Sequence, residues 1–126
     1  MPTRAVRLDH VQVAMPRGEE ARAREFYGRL LGLTEIPKPG ETAARGGVWF
    51  QCGAMQVHLG VEDGFRAAQK AHPAFVVEGY AELLVALQAN GYPVQPDTSV
   101  PGWVRAFTRD PFGNRVELIS SEQPGR

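Results

Sequence analysis

Four residues of metal-ligand type, His10, His58, His72 and Glu117, stand at matching places in two halves of this chain. His10 opens the alternating run LDHVQVAM, and His72 opens a similar run, HPAFVV. His58 closes the first half in MQVHLGV, and Glu117 closes the second in NRVELIS. A buried imidazole or carboxylate costs free energy unless it is paired or bound to something. One divalent cation coordinated by all four would explain them together. Imidazole with carboxylate suits Zn, Fe, Ni, Co or Mn, whereas Ca and Mg prefer all-oxygen shells. Two histidines and one carboxylate would make the facial triad of non-haem Fe(II) oxygenases. Three histidines with Glu117 would favour Lewis-acid work on a chelated substrate. The residues leave both shells open. In either, Glu117 is the candidate catalytic group, a ligand that can also carry a proton.

Placing these side chains requires a repeated unit. Leu8 to Met15 alternates as a strand, which Pro16 ends. From about Glu19 to Leu31 the pattern is helical, with Phe26, Tyr27, Leu30 and Leu31 as its apolar stripe and Gly32 as C′. Residues 37 to 47 have turn chemistry without periodicity and read as a mobile loop. Residues 47–51 and 55–59 flank a Cys–Gly–Ala turn and read as a hairpin. The polar stretch 62–71 links the halves. His72 to Val77 is then a strand, with Pro73 tolerated near its start. Tyr80, Leu83, Leu84 and Leu87 form a helix stripe that Asn90–Gly91 ends. Tyr92 to Gln95 reads as a short strand. Trp103 to Arg109 and Arg115 to Ser120 form a hairpin across Asp110–Asn114, and the tail after Ser121 is expected to fray. The order is βαβββ written twice, about 7–61 and 72–120, within a single domain spanning 1–126. Parity keeps His10 with Gln12, His58 with Gln56, His72 with Ala74, and Glu117 with Arg115 and Ile119. Each half thus offers one ligand-bearing face.

Composition narrows the function class. The 126 residues suit one ordinary domain, and 43% hydrophobic with 22% charged residues is typical of a soluble one. Lys plus Arg number 14 and Asp plus Glu 14, so no net charge draws the chain to nucleic acid or an acidic membrane. The single cysteine, Cys52, excludes an internal disulfide and suits a reducing cytoplasm. It sits in a hairpin turn with no base nearby in sequence, which argues against a nucleophilic role. The stretch MPTRAVRLDH lacks the apolar run of a signal peptide, so secretion is not expected, and no apolar run approaches the roughly 18 residues of a membrane span.

The segments LDHVQVAMP, FYGRLLGL, VWFQCGAMQVHL, HPAFVV and RDPFGNRVELIS together resemble the glyoxalase/bleomycin resistance/extradiol dioxygenase superfamily, the vicinal oxygen chelate proteins. The resemblance runs from about residue 7 to 120, and DPFGNxxEL and FYxxxLG are its most specific elements. It implies an α+β fold of paired βαβββ modules, curved into half-barrels around a metal site. Ligands would come from the first and last strands of each module, at His10, His58, His72 and Glu117. It also implies a small substrate chelated through two adjacent oxygens, in lyase, isomerase or oxygenase chemistry. Lactoylglutathione lyases of similar length usually carry a carboxylate or amide where this chain has His58. Fosfomycin-modifying members keep a site matching His10, His72 and Glu117, but with Thr in place of Gln12. The short metal enzymes of this superfamily form homodimers, so His10 and His58 of one chain are expected to share a metal with His72 and Glu117 of the other.

Five more residues are pocket candidates: Gln12, Trp49, Trp103, Arg105 and Phe107. Arg105 and Arg109 share a strand face and could hold an anionic group of the substrate. Trp49, Phe50, Trp103 and Phe107 could line an apolar pocket or simply be core. The competing reading is a non-catalytic, drug- or metabolite-binding protein of the bleomycin-resistance type. Such binders usually lack the ligand set.

Overall fold

The computed structural model describes residues 2–123, which fall into two compact units dividing after Phe65. In the first unit, strand β1 (His10–Met15) leads to α1 (Glu20–Ala23), which widens directly into a π-helical stretch, Arg24–Leu30. Strands β2 (Thr34–Ile36), β3 (Val48–Cys52) and β4 (Met55–Val61) follow. They form a mixed sheet in the order β1-β4-β3-β2, with β1 parallel to β4 and the other pairs antiparallel. The second unit repeats the plan. Strand β5 (Ala74–Val77), helix α2 (Tyr80–Ala89), β6 (Val94–Pro96), β7 (Arg105–Arg109) and β8 (Arg115–Ser120) build a sheet ordered β5-β8-β7-β6. Here β5 runs parallel to β8. The βαβββ repeat read from periodicity is therefore present twice, and neither four-stranded sheet closes on itself.

One face of each sheet carries its helix and the core. In the first unit Val13, Met15, Val48, Phe50, Val57 and Leu59 are buried, as are Phe26 and Tyr27 of the helix. Tyr27 packs edgewise on Phe26, with ring centroids 4.8 Å apart, and reaches Phe50 at 6.1 Å. In the second unit Phe75, Ala106, Val116 and Leu118 are buried with Leu83 and Leu87 of α2. Each large apolar side chain buried this way contributes about 1.5–3 kcal/mol. Because strand side chains alternate, the residues between these core positions point to the opposite face, where all the candidate chemistry lies.

Several boundaries differ from the sequence pattern. Strand β5 begins at Ala74, so His72 precedes it; Pro73 has no N–H, and its carbonyl accepts from Glu117 N at 3.0 Å to start the pairing. The stretch 37–47 contains a 3₁₀ helix, Gly40–Arg45, where a mobile loop was expected. Cys52 is the last residue of β3, ahead of the turn. The tail is tied down as far as Gln123, whose amide pairs with both Val104 N and Val104 O. Residues 124–126 of that tail lie outside the described residues.

Gly47 marks the tightest passage. Its φ is +88°, and a Cβ there would lie 2.2 Å from Leu59 O on the neighbouring strand. Gly47→Ala is expected to destabilise the protein by at least about 2 kcal/mol, since a strained left-handed residue alone costs roughly 1–3. Urea unfolding reads this directly. An unchanged midpoint would mean that the chain does not pass so close to β4.

Candidate metal centre

In the first unit, His10, Gln12, Trp49, Gln56 and His58 share the sheet face turned away from the helix. Register makes His10 the cross-strand partner of Gln56, and His58 the partner of both Gln12 and Trp49. The three rings stack. Trp49 lies 3.7 Å from His58 with 1° between planes, and His58 lies 4.2 Å from His10 with 16° between planes. His58 is buried, and its Nε2 meets the Gln56 side-chain oxygen at 2.9 Å. Burial, reinforced by the nearby His10, lowers its pKa and favours the neutral ring. His10 is more open, and its Nδ1 lies 3.0 Å from the Asp9 carboxylate, whose own pKa that bond lowers. Gly60 leaves room for Gln12: a Cβ there would come within 2.6 Å of the Gln12 amide.

In the second unit, His72 and Glu117 meet directly. His72 Nε2 stands 2.9 Å from Glu117 Oε1, and His72 Nδ1 stands 2.8 Å from the Lys70 carbonyl. Since Nδ1 must donate to that carbonyl, Nε2 of a neutral ring faces the carboxylate with a lone pair. Two acceptors at that distance need a proton or a metal ion between them. Glu117 is 5% exposed, so its charge requires compensation, and Arg105 Nη1 supplies some at 3.2 Å from Oε2. Arg105 also reaches Asp97 at 3.6 Å and Ser99 Oγ at 3.2 Å. Its guanidinium carbon lies 5.8 Å from the Trp103 ring and 5.6 Å from the Phe107 ring. Phe107 packs edgewise on His72 at 5.3 Å and is the cross-strand partner of Glu117.

The donor chemistry fits a transition metal. His10 and His72 each commit Nδ1 to an oxygen acceptor, which leaves Nε2 as the ligating nitrogen. That is the orientation imposed on metal-bound histidines by outer-shell partners. Histidine 58 differs. Lone pairs of nearly parallel rings 4.2 Å apart run side by side, so His10 and His58 cannot both aim at one ion until a ring leaves the stack. Among the described residues, no three His, Cys, Asp or Glu side chains converge on one point. The candidate ligands come as two pairs, one in each unit. The pocket candidates divide likewise: Gln12 and Trp49 in the first unit, Trp103, Arg105 and Phe107 in the second. Phe50, by contrast, is wholly core.

Sequence reading places the β7–β8 turn and sets Gln56 on the face of His58, but gives no role to Asp9, Gln56, Asp110 or Asn114. Asp9 and Gln56 hold the histidine rings, but their role depends on neighbours in space. Asp110 and Asn114 fix the β7–β8 turn. The Asp110 carboxylate accepts from Phe112 N, Asn114 N and Asn114 Nδ2, each at 2.9 Å, while Asn114 Oδ1 accepts from Ala68 N at 3.0 Å. The DPFGN motif was the available signal for this turn. Asp9→Ala is expected to weaken metal binding by roughly 10-fold, within the range for loss of an outer-shell partner. Competition with a chromophoric chelator measures this. Unchanged affinity would exclude Asp9 from orienting His10.

A mixed sheet of four strands carried by one helix, written twice, with His10 and His58 on the open face of the first and His72 beside Glu117 in the second, defines a class of small two-module proteins. The sequence matches the Glyoxalase/Bleomycin resistance protein/Dioxygenase superfamily over residues 7–118, and the chain belongs to that superfamily. A Bacillus anthracis protein assigned to the glyoxalase family has a crystal structure similar to this one. It is 45% identical, with a TM-score of 0.89, 97% of this chain covered and 100% of the other. Lactoylglutathione lyase from Agrobacterium tumefaciens is 22% identical with a TM-score of 0.67, covering 96% of each chain. The fosfomycin resistance protein FosX from Listeria monocytogenes is 16% identical with a TM-score of 0.72, covering 94% of this chain and 96% of that one. The last two show a shared fold only. No curated protein matches the sequence. Among the described residues, no helix is long and apolar enough to cross a membrane.

Proposed function

We propose that this protein is a metal-dependent enzyme that acts on a small oxygen-rich substrate. The observation that carries the reading is the encounter of His72 Nε2 with Glu117 Oε1 at 2.9 Å, with Nδ1 already engaged by Lys70 O. His10, His72 and Glu117 are the firmest ligands, and His58 joins them if its ring swings out of the stack. Zn, Ni, Fe, Mn or Co suits this mixture of imidazole and carboxylate. Such an ion, when bound, supplies Lewis acidity toward two adjacent substrate oxygens.

The remaining roles belong to the chain itself. Glu117 holds or passes a proton at Oε1, while Arg105 keeps Oε2 in place. Trp49 stacks on His58, and Phe107 packs edgewise on His72, which holds those two rings in place. Each unit contributes two ligands, and we assign the complete set to a homodimer, with His10 and His58 of one chain and His72 and Glu117 of the other. The protein acts in the cytoplasm, on a small molecule rather than on nucleic acid or membrane.

Titrating chelator-stripped protein with Zn, Ni, Mn or Fe(II) tests the reading. Binding should change the fluorescence of Trp49, which stacks on His58, and should raise the unfolding temperature. If no metal alters either signal, the enzyme reading falls and the non-catalytic binder replaces it. Assembly is tested by mixing His10→Ala chains with Glu117→Ala chains. Sites shared between chains leave the mixed dimer one intact site and restore part of the metal binding. Sites confined to one chain restore none.

A further inference from the structure

On the sheet face that carries Glu117, Arg109 and Arg115 are direct cross-strand partners. Like charges placed opposite each other on one face of a sheet repel. Among the described residues, no carboxylate lies within ion-pair distance of either guanidinium; the nearby carboxylates, Asp97 and Glu117, are both engaged by Arg105. Among the described residues, the Arg109 side chain donates to the Gly113 carbonyl alone, at 3.3 Å. Arg115 sits over the Phe107 ring, 3.9 Å from its centroid. A guanidinium held over an aromatic face still presents its N–H edge for fork-shaped recognition of an oxyanion. Both arginines line a cavity of about 530 Å³, together with Gln95, Thr98, Ser99 and Phe107. Asp97 also lines it, but its carboxylate is taken by Ser99 N at 2.7 Å and Ser99 Oγ at 2.5 Å as well as by Arg105.

We propose that this cavity binds an anionic group of the substrate (a carboxylate, phosphate or phosphonate) between Arg109 and Arg115. The inference rests on the reading of the Glu117 face as the substrate face, and it narrows the substrate from any small oxygen-rich molecule to an anionic one. Arg115 and Glu117 are alternate residues of β8 on the same face, roughly 7 Å apart along the strand. A compact molecule therefore spans from the arginine pair to the carboxylate. An oxyanion in the cavity offsets the repulsion of the two guanidinium groups and gains charge-assisted hydrogen bonds from them.

Inorganic phosphate is the probe, titrated into chelator-stripped protein with chloride holding the ionic strength constant, and read by calorimetry and thermal unfolding. The wild-type protein is expected to bind phosphate and to unfold at a higher temperature in it. Arg109→Gln and Arg115→Gln should each weaken that binding by at least about tenfold, the scale of a lost charged hydrogen bond. Without phosphate, Arg109→Gln should be at least as stable as the wild type, because one of two repelling charges is gone, whereas Arg115→Gln also gives up its contact with the Phe107 ring. A merely structural Arg109 would give the opposite result. Phosphate binding no tighter than chloride, or equal in wild type and variants, would overturn the proposal. Zinc titration of the same proteins keeps the two readings apart. A chain that binds phosphate through these arginines but takes no metal retains the subsite and loses the metal centre.

Discussion

Glu117→Ala is expected to lose transition-metal affinity by more than the roughly 10–100-fold that removal of an outer-shell partner costs, because a ligand itself is gone. The substitution also leaves His72 Nε2 without its partner and reduces Arg105 to its contacts with Asp97 and Ser99. Some destabilisation will accompany it. Glu117→Gln separates the two effects, since it keeps the shape and the hydrogen bond to Arg105 while removing the negative charge. The Gln variant should unfold near the wild-type midpoint and still bind zinc or nickel far more weakly. Equal affinity in Glu117→Gln and wild type would remove Glu117 from the ligand set. His72→Gln should behave like Glu117→Ala, whereas His58→Gln should cost less, because the stacked ring is not aimed where His10 aims.

The second large effect is structural. Asp110 is 3% exposed, and its carboxylate ties three donors of the β7–β8 turn. Asp110→Ala removes the carboxylate that accepts from Phe112 N, Asn114 N and Asn114 Nδ2. A hydrogen bond to a charged group is worth about 1.5–3 kcal/mol, and two of the three are buried, so the loss should reach about 3 kcal/mol or more. Asp110→Asn should recover only part of this, since its amide must set an N–H₂ group against the one of Asn114. The turn also sets the register that makes Phe107 the partner of Glu117 and Arg109 the partner of Arg115. Metal and phosphate affinity should therefore fall along with stability. Denaturant unfolding gives the first quantity, and a loss below about 1 kcal/mol would show that water replaces the carboxylate at little cost.

Much of this was legible because strands and helices have different periods. Alternation in LDHVQVAM and the stripe Tyr80–Leu83–Leu84–Leu87 placed elements close to where they lie, and parity put the ligand-type residues on one face in each half. The repeat itself was visible as matching positions of His10 with His72 and His58 with Glu117. Other features depend on what the chain meets in space. The start of β5 at Ala74 follows from the missing N–H of Pro73, which outweighs the alternation of HPAFVV. The π-helical widening over Arg24–Leu30 keeps Phe26 and Tyr27 both fully buried, and no pattern of apolar residues distinguishes it from an ordinary helix. The Trp49–His58–His10 stack and the opposed arginines depend on register between strands. Nothing in either strand alone reveals them. The segment 97–102 illustrates the same limit: its Asp97–Ser99 turn serves Arg105, a partner beyond the reach of local pattern.

The central claim is that imidazole and carboxylate from this chain hold a single kind of transition-metal site. X-ray absorption of the zinc-loaded protein examines the ligands themselves. A first shell of nitrogen and oxygen at about 2.0–2.1 Å, with the outer-shell scattering of at least two imidazoles and no sulfur, is predicted. In Glu117→Gln under the same loading, that shell should lose occupancy or coordination number. A spectrum showing only oxygen neighbours without imidazole scattering, or a sulfur neighbour from Cys52 near 2.3 Å, would contradict the site.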